Sequence, residues 1–379
     1  MFKYFYRSAA LNMETTSMTT LGATEMTPRY HPPLWLGWLA LLLMLLSTIL
    51  IIVGNIIVLV VFHYTHSLKN TTSVFIKSLA FADLGVGINC MFSVHSWFAG
   101  GWPYGFILCK LVGYLIAVTV GVSILSLTGV SIDRYIAIIR PLQYHSLLTK
   151  RRARIYVITI WIMSAIIFLP SLFGWGDNNY YYNSVTYDCS MHWEDNVTFS
   201  FYLISIVVLP ALAISAFCYF WILRVCIIQE RKTRQYELAL QQPNPDSFKR
   251  RHEKLLAKMF LIIISAFYVT WIPFVVVRII KGTSDTELSP ALLFFTGWLG
   301  LMNSFLNCFI YSICHRPFRK GCGSLALKLW GKCLAPCDRS SSRGRGGPRT
   351  SQQWIRTQQT TAADDDEDAD NVKYDEDAV

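Results

Sequence analysis

Two groups of residues in this 379-residue chain have the types and spacing for chemistry. The first is Asp133-Arg134-Tyr135, which ends a run of 22 uncharged residues from Leu111 to Ile132. A charged pair at the edge of an apolar run is costly unless it is paired or faces protein and water. Arg134 can pair with Asp133 next door. The second is Asp83, a lone carboxylate inside another apolar run. Such an acid is either neutral and hydrogen-bonded or the centre of a site for a hard cation, which takes oxygen ligands. Bond-making chemistry is not expected. An enzyme needs clustered nucleophile, base or metal ligands, and His95, alone among the mid-chain apolar runs, has no such company.

These groups need elements to hold them. The chain is 53% apolar, 14% aromatic and 15% charged, which fits a membrane protein better than a soluble domain. As a helix, residues 111–132 span about 33 Å, enough for a hydrocarbon core of roughly 30 Å. That stretch, Cys109 to Pro141, is third in a series with Leu34–Phe62, Ser73–Trp97, Ile155–Trp175, Phe199–Leu223, Met259–Ile280 and Pro290–Ile313. The runs lack the alternation of a barrel, so the expected fold is an all-α membrane protein, a seven-transmembrane helix bundle. Counted with the bordering span ends (Lys77, Arg134 and Arg140), lysine and arginine number 28 in the gaps after spans one, three and five and in the C-terminal tail, against 6 in the remaining segments. Positive residues stay cytosolic, which puts the N-terminus outside and the C-terminus inside a plasma-membrane protein. The net charge of +10 is therefore a topology signal and not one for nucleic acid.

The expected organisation is an extracellular tail (1–33), the helix domain (34–314), a short amphipathic eighth helix (315–330) and a disordered cytoplasmic tail (331–379). The first span serves as its own signal anchor, since Met1–Arg7 is too short and charged for a cleavable signal. The outer gap before span five carries Tyr180-Tyr181-Tyr182 and Cys189. It also holds the sequon Asn196-Val197-Thr198, with Asn196 a glycan acceptor. A second sequon at Asn70 falls on the cytosolic side. Cys322, Cys333 and Cys337 are placed for palmitoylation; the Cys-x-x-x-Cys pair is equally a spacing for inert or metal-bound thiols, although no histidine accompanies it.

Landmarks on every span then point to one family. They are Asn55; Leu79-Ala80-Phe81-Ala82-Asp83; Cys109 with Asp133-Arg134-Tyr135; Trp161; Pro210; Trp271-Ile272-Pro273; and Asn307-Cys308-Phe309-Ile310-Tyr311 followed by Phe318. Over about residues 34–329 the chain resembles the rhodopsin-like (class A) G-protein-coupled receptors. The resemblance implies a disulfide between Cys109 and Cys189. It implies a sodium site at Asp83 lined by Ser123, Trp271, Asn303, Ser304 and Asn307. It makes Arg134 an activation switch that pairs with Asp133 and Glu253 in the off state. Tyr135 and Tyr311 belong to the same machinery, and Pro141-Leu142 is an apolar knob for a G-protein. Ile124, Pro210 and Phe267 match a core triad, with Trp271 and Pro273 as rotamer and hinge. Three departures stand out. Cys308 replaces a proline, so span seven should kink less; Thr270 replaces a cysteine; and Tyr219 falls one residue late, where Cys218 takes the inward-pointing position.

The ligand face of span six is Trp271, Phe274, Val275 and Arg278, spaced i, i+3, i+4, i+7. Ile116, Ala117 and Val120 on span three, Tyr202 and Ile206 on span five, and Leu293, Gly297 and Leu301 on span seven complete it. Ile116 stands where amine receptors carry aspartate, and Leu301 where opsins carry the retinal lysine. An apolar pocket with Arg278 at its mouth suits an apolar or acidic ligand, or equally a plug formed by the Tyr-rich loop that gives ligand-independent signalling. The implied partners are a heterotrimeric G-protein, with receptor kinases and arrestin at the Ser/Thr-rich tail. A seven-span transporter or channel is the alternative, but it should show repeated halves, and none is found.

Overall fold

The computed structural model describes residues 33–174, 180–191, 197–240, 247–284 and 288–334. Seven helices among them are long and apolar enough to cross a bilayer. Spans one to four are Leu34–Tyr64, Thr72–Ala99, Gly105–Ile139 and Lys150–Leu172. Span five joins Val197–Leu203 through a π-turn, Ile204–Val208, to Leu209–Leu240. Spans six and seven are Ser247–Thr283 and Pro290–Cys314. A further helix, Arg316–Leu334, follows span seven.

Most spans outrun their apolar cores because helical hydrogen bonds are kept where charge is cheap. Lys150, Arg151, Arg152 and Arg154 open span four, and the hydroxyl of Thr149 caps it by accepting from the Arg152 amide, leaving fewer orphan donors. The other end of span four stops short of Trp175. Phe173 leaves the helix and Gly174 takes a positive φ of 74°, the usual glycine stop. Asn70, in the cytosolic sequon, acts locally. Its side-chain oxygen accepts from the Ser73 amide at 2.9 Å as span two begins.

Span three is the axis, packed against spans two, four, five and six. Lipid tails are as apolar as leucine, so helices associate through close packing and interhelical hydrogen bonds. Both are present. The hydroxyl of Ser164 donates to the Val118 carbonyl at 2.8 Å, the Trp161 indole donates to Ser78 at 3.1 Å, and the Asn55 amide reaches the Ser304 carbonyl at 3.1 Å. Gly121 lets spans three and four touch: a Cβ there would lie 2.5 Å from the Ser164 oxygen and 2.7 Å from the Phe168 ring. After span seven Phe318 is buried against Phe62 and Tyr311.

The outer loop holds an element that sequence reasoning missed. Tyr180–Asn183 (β1) and Asp188–Met191 (β2) form an antiparallel hairpin with Tyr182 opposite Cys189. Tyrosine favours strands, and the Asn183 side chain closes the turn by accepting from the Val185 amide at 2.9 Å, as an Asx-turn does. Cys189 is disulfide-bonded to Cys109 on span three, with Cα atoms 5.3 Å apart.

Gly121→Val should lower the thermal midpoint of the detergent-solubilised protein by an overpacking cost of about 1–3 kcal/mol. Gly121→Val with Phe168→Ala should recover part of it in the same melt; no recovery would show that the glycine is not there for contact with span four.

Candidate functional site

At the inner end, Asp133 and Arg134 are buried, and the nearest acid wins the arginine. Arg134 Nη2 lies 2.6 Å from Asp133 Oδ2, and its Nε donates to the same oxygen at 2.9 Å. The Thr72 hydroxyl bridges them: it donates to Asp133 at 2.7 Å and accepts from Arg134 at 2.5 Å. Tyr144, in the short helix Tyr144–Leu147, donates to the other Asp133 oxygen at 2.8 Å. Burial, and then the Asp133 carboxylate, push the Tyr144 phenol up to about 12, so it remains a donor at physiological pH. Neither Thr72 nor Tyr144 was expected from sequence; a hydroxyl near an ion pair has no linear signature. The helix of span six includes Glu253, whose side chain lies outside the described residues. Tyr135 packs on Phe217, ring centroids 5.8 Å apart. Pro141 opens a 3₁₀ turn that leaves Leu142 98% exposed.

In the middle, Asp83 is wholly buried. Asn307 donates to it at 2.8 Å and Ser123 at 3.3 Å, and Ser304 faces the same carboxyl. The side-chain oxygens of Asn303 and Asn307 are buried and accept no hydrogen bond from the protein. These oxygens make the donor set one that a hard cation fits. Trp271 lies against Gly300, one turn from this cluster on span seven. Phe267 and Trp271 stack at 6.1 Å, and Trp271 meets Phe274 edge-on at 5.6 Å. The expected triad is corrected at one corner. Pro210 is exposed, and Val207, 3% exposed, packs with Ile124 in its stead. The π-turn at Ile204–Val208 adds a residue to a turn and so resets which side chains of span five face inward. Tyr219 also differs from expectation. Both Cys218 and Tyr219 are buried, with the Tyr219 ring close to Ser131 and Arg134. Pro273 sits inside span six, and Thr270 answers the cysteine it replaces by donating to the Phe267 carbonyl at 2.9 Å. Span seven passes Cys308 as one helix.

The outer half holds a cavity of about 700 Å³. Of the expected ligand residues, Ile116, Ala117, Val120, Trp271, Phe274, Val275, Arg278, Gly297 and Leu301 line it; Tyr202, Ile206 and Leu293 do not. Ile206 is 48% exposed on the far side of the π-turn, Tyr202 stacks on Phe199 at 5.6 Å, and Leu293 is buried off the cavity. The hairpin supplies wall residues: Tyr180, from the Tyr-rich loop read above as a plug, and Thr186, Asp188 and Ser190, which the sequence did not single out. Tyr180 has no exposed surface, donates or accepts with Ser171 at 2.8 Å, and rests on Gly113, where an added Cβ would collide with its ring. The Trp298 indole donates to the Thr186 carbonyl at 3.2 Å. Asp188 takes a hydrogen bond from the Thr186 hydroxyl; burial raises its pKa, and that bond and the nearby Arg278 oppose the rise. Arg278 was expected at a pocket mouth. It is instead buried beneath the hairpin, its guanidinium 5.1 Å from the centre of the Phe274 ring.

Comparison with known proteins now bears on what this arrangement is. The sequence matches the family "7 transmembrane receptor (rhodopsin family)" over residues 54–311. The chain belongs to that family. It is 33% identical to bovine (Bos taurus) G-protein coupled receptor 52 over 341 residues, covering 85% of this chain and 92% of that protein. It is 35% identical to the human (Homo sapiens) probable G-protein coupled receptor 21 over 301 residues, 78% and 86% of the two chains. The crystal structure of squid rhodopsin shares the fold with a TM-score of 0.71 over 86% of this chain and 98% of that one, at 23% identity. Membership in a receptor family excludes the transporter alternative and an enzyme, and the protein is a multi-pass receptor of the G-protein-coupled kind. Asn196 and Cys337 lie outside the described residues, as does the side chain of Cys333; Cys322 is half-buried in the helix after span seven.

Charge-assisted hydrogen bonds contribute about 1.5–3 kcal/mol each. Thr72→Ala or Tyr144→Phe should therefore loosen Arg134 and raise agonist-free G-protein activation by about tenfold or less per variant. Unchanged activation by both variants at equal surface density would show that the network does not hold the switch.

Proposed function

We propose that this receptor lies in the plasma membrane, N-terminus outside and C-terminus inside, and signals to a heterotrimeric G-protein without a diffusible agonist, its own hairpin acting in the agonist's place. The observation that carries this reading is the buried Tyr180 ring, seated on Gly113 and bonded to Ser171, where an incoming ligand would have to pass. Three further ties support it: the Cys109–Cys189 bridge, the Trp298–Thr186 hydrogen bond, and Asp188 beside Arg278. A tethered occupant does not lose translational freedom on binding, so weak contacts suffice to bias a two-state equilibrium.

The path inward is a chain of contacts. Hairpin residues and Trp271 share one cavity wall; Trp271 stacks on Phe267; and Pro273 removes one backbone donor from span six, giving it a hinge. Movement of span six would free Arg134 from Glu253, the acid that holds it in the off state. Leu142 and the basic stretch Lys249-Arg250-Arg251 then meet the G-protein. A sodium ion at Asp83, Ser123, Asn303, Ser304 and Asn307, beside Trp271, would favour the off state by supplying charge for the buried carboxylate. Receptor kinases and arrestin act on the Ser/Thr-rich tail, a glycan sits on Asn196, and palmitate attaches at Cys322, Cys333 or Cys337.

Agonist-free cAMP and calcium signals should fall by about tenfold in Tyr180→Ala and vanish in Arg134→Ala, each matched for surface density. A Tyr180→Ala receptor that reaches the surface and signals like the parent would refute the tethered-agonist reading. Raising sodium should lower the parent's signal and leave Asp83→Asn indifferent; an identical sodium response in both would remove the cation site.

A further inference from the structure

The cavity under the hairpin reaches the exposed flank of span six. Its wall includes both faces of span six. Ile264, Phe267 and Trp271 belong to the inner face, while Val269, Ile272 and Val276 belong to the lipid-facing stripe, 68%, 54% and 47% exposed. A space that touches both faces of one helix passes around its flank. On the span five side the same space is walled by Leu212, 40% exposed, and by Ala216, also exposed. The opening therefore lies between spans five and six, where the surroundings are bilayer hydrocarbon and not water.

We infer that an acyl chain of a bilayer phospholipid enters this cleft between spans five and six and fills the space beside Phe267 and Trp271. This rests on the proposed seating of the hairpin, which leaves the membrane as the way in. The volume of about 700 Å³ falls within the roughly 300–1,000 Å³ usual for small-molecule sites. Among the described lining residues the charged ones are Asp188 and Arg278, which face each other at the outer end. Below that pair the wall offers a hydrocarbon chain a largely apolar surface, so the chain lies inside and the head stays at the outer end or in the headgroup layer. Such a chain would prop the hinge region of span six from inside, and the occupancy would follow the lipid composition of the membrane.

The test uses the full-length receptor in nanodiscs of phosphatidylcholine doped with phosphatidylcholine carrying a photoreactive diazirine in its sn-2 chain. Irradiation and peptide mapping should place adducts on interior residues, Ile124, Ile264 or Phe267, together with annular adducts on Ile158 of span four, which is 59% exposed. Ala216→Trp, which fills the side opening, should cut interior adducts by about tenfold and leave the Ile158 adducts alone; Val269→Trp is a second plug for the case that the first does not fold. Adducts confined to exposed residues would overturn the inference, as would interior adducts indifferent to a folded plug variant. Interior adducts from a diazirine fatty acid alone, and none from the phospholipid, would overturn it too. The hairpin reading is judged separately by the Tyr180→Ala signal, so either idea can fail while the other stands.

Discussion

The interaction on which the rest depends is the covalent tie between Cys109 and Cys189. It joins the β1–β2 hairpin to the same helix that carries Asp133 and Arg134 about 38 Å further along. A loop that is free to leave has no fixed relation to the bundle. One bridged to span three shares its frame with the Asp83 cluster and the inner ion pair. The bridge also restricts the unfolded chain, which is how a crosslink stabilises in the loop-entropy picture. Once β2 is held, Tyr180 on its partner strand can settle onto Gly113, and the collision that any larger side chain would make there explains why that position is bare.

Among the buried polar groups of the spans, two charged clusters stand apart. Asp133 and Arg134 are buried near the C-terminal end of span three, where an ion pair with one member missing would cost several kcal/mol. Thr72 and Tyr144 complete their hydrogen bonds. The pair is therefore stable as it stands, yet each partner comes from a different element: span two, span three and the short helix Tyr144–Leu147. A rearrangement of any one releases the others, which is what a switch needs. Asp83 is satisfied in a different way, with donors from spans three and seven on one side and two unpaired amide oxygens close by.

Most of the fold was legible in the sequence because a bilayer imposes a length and an absence of charge that no soluble context demands. The seven spans, the paired cysteines and the neighbours of Asp83 follow from that and from the resemblance. What was not legible depends on features without a linear signature. The π-turn at Ile204–Val208 contains only ordinary apolar residues and one serine, yet it turns Pro210 and Ile206 outward and brings Val207 in. Tyr219 stays buried although it falls one position late, since the inward side of span five has room for it and Cys218 together. The hairpin escaped because a cluster of tyrosines in a loop reads as an aromatic surface. Only the tertiary context, with Gly113 beneath and Ser171 bonded to its hydroxyl, shows Tyr180 as a core residue.

The most direct measurement is nucleotide exchange on purified heterotrimeric G-proteins driven by the purified receptor in nanodiscs, with no ligand added. Exchange should exceed that of empty nanodiscs and should fall to their level for a folded receptor in which Cys109 and Cys189 are both changed to alanine. Equal exchange from the bridged and unbridged receptors would contradict the claim that the tethered hairpin sets the signalling state, and no exchange on any heterotrimer from the bridged, folded receptor would contradict it more completely.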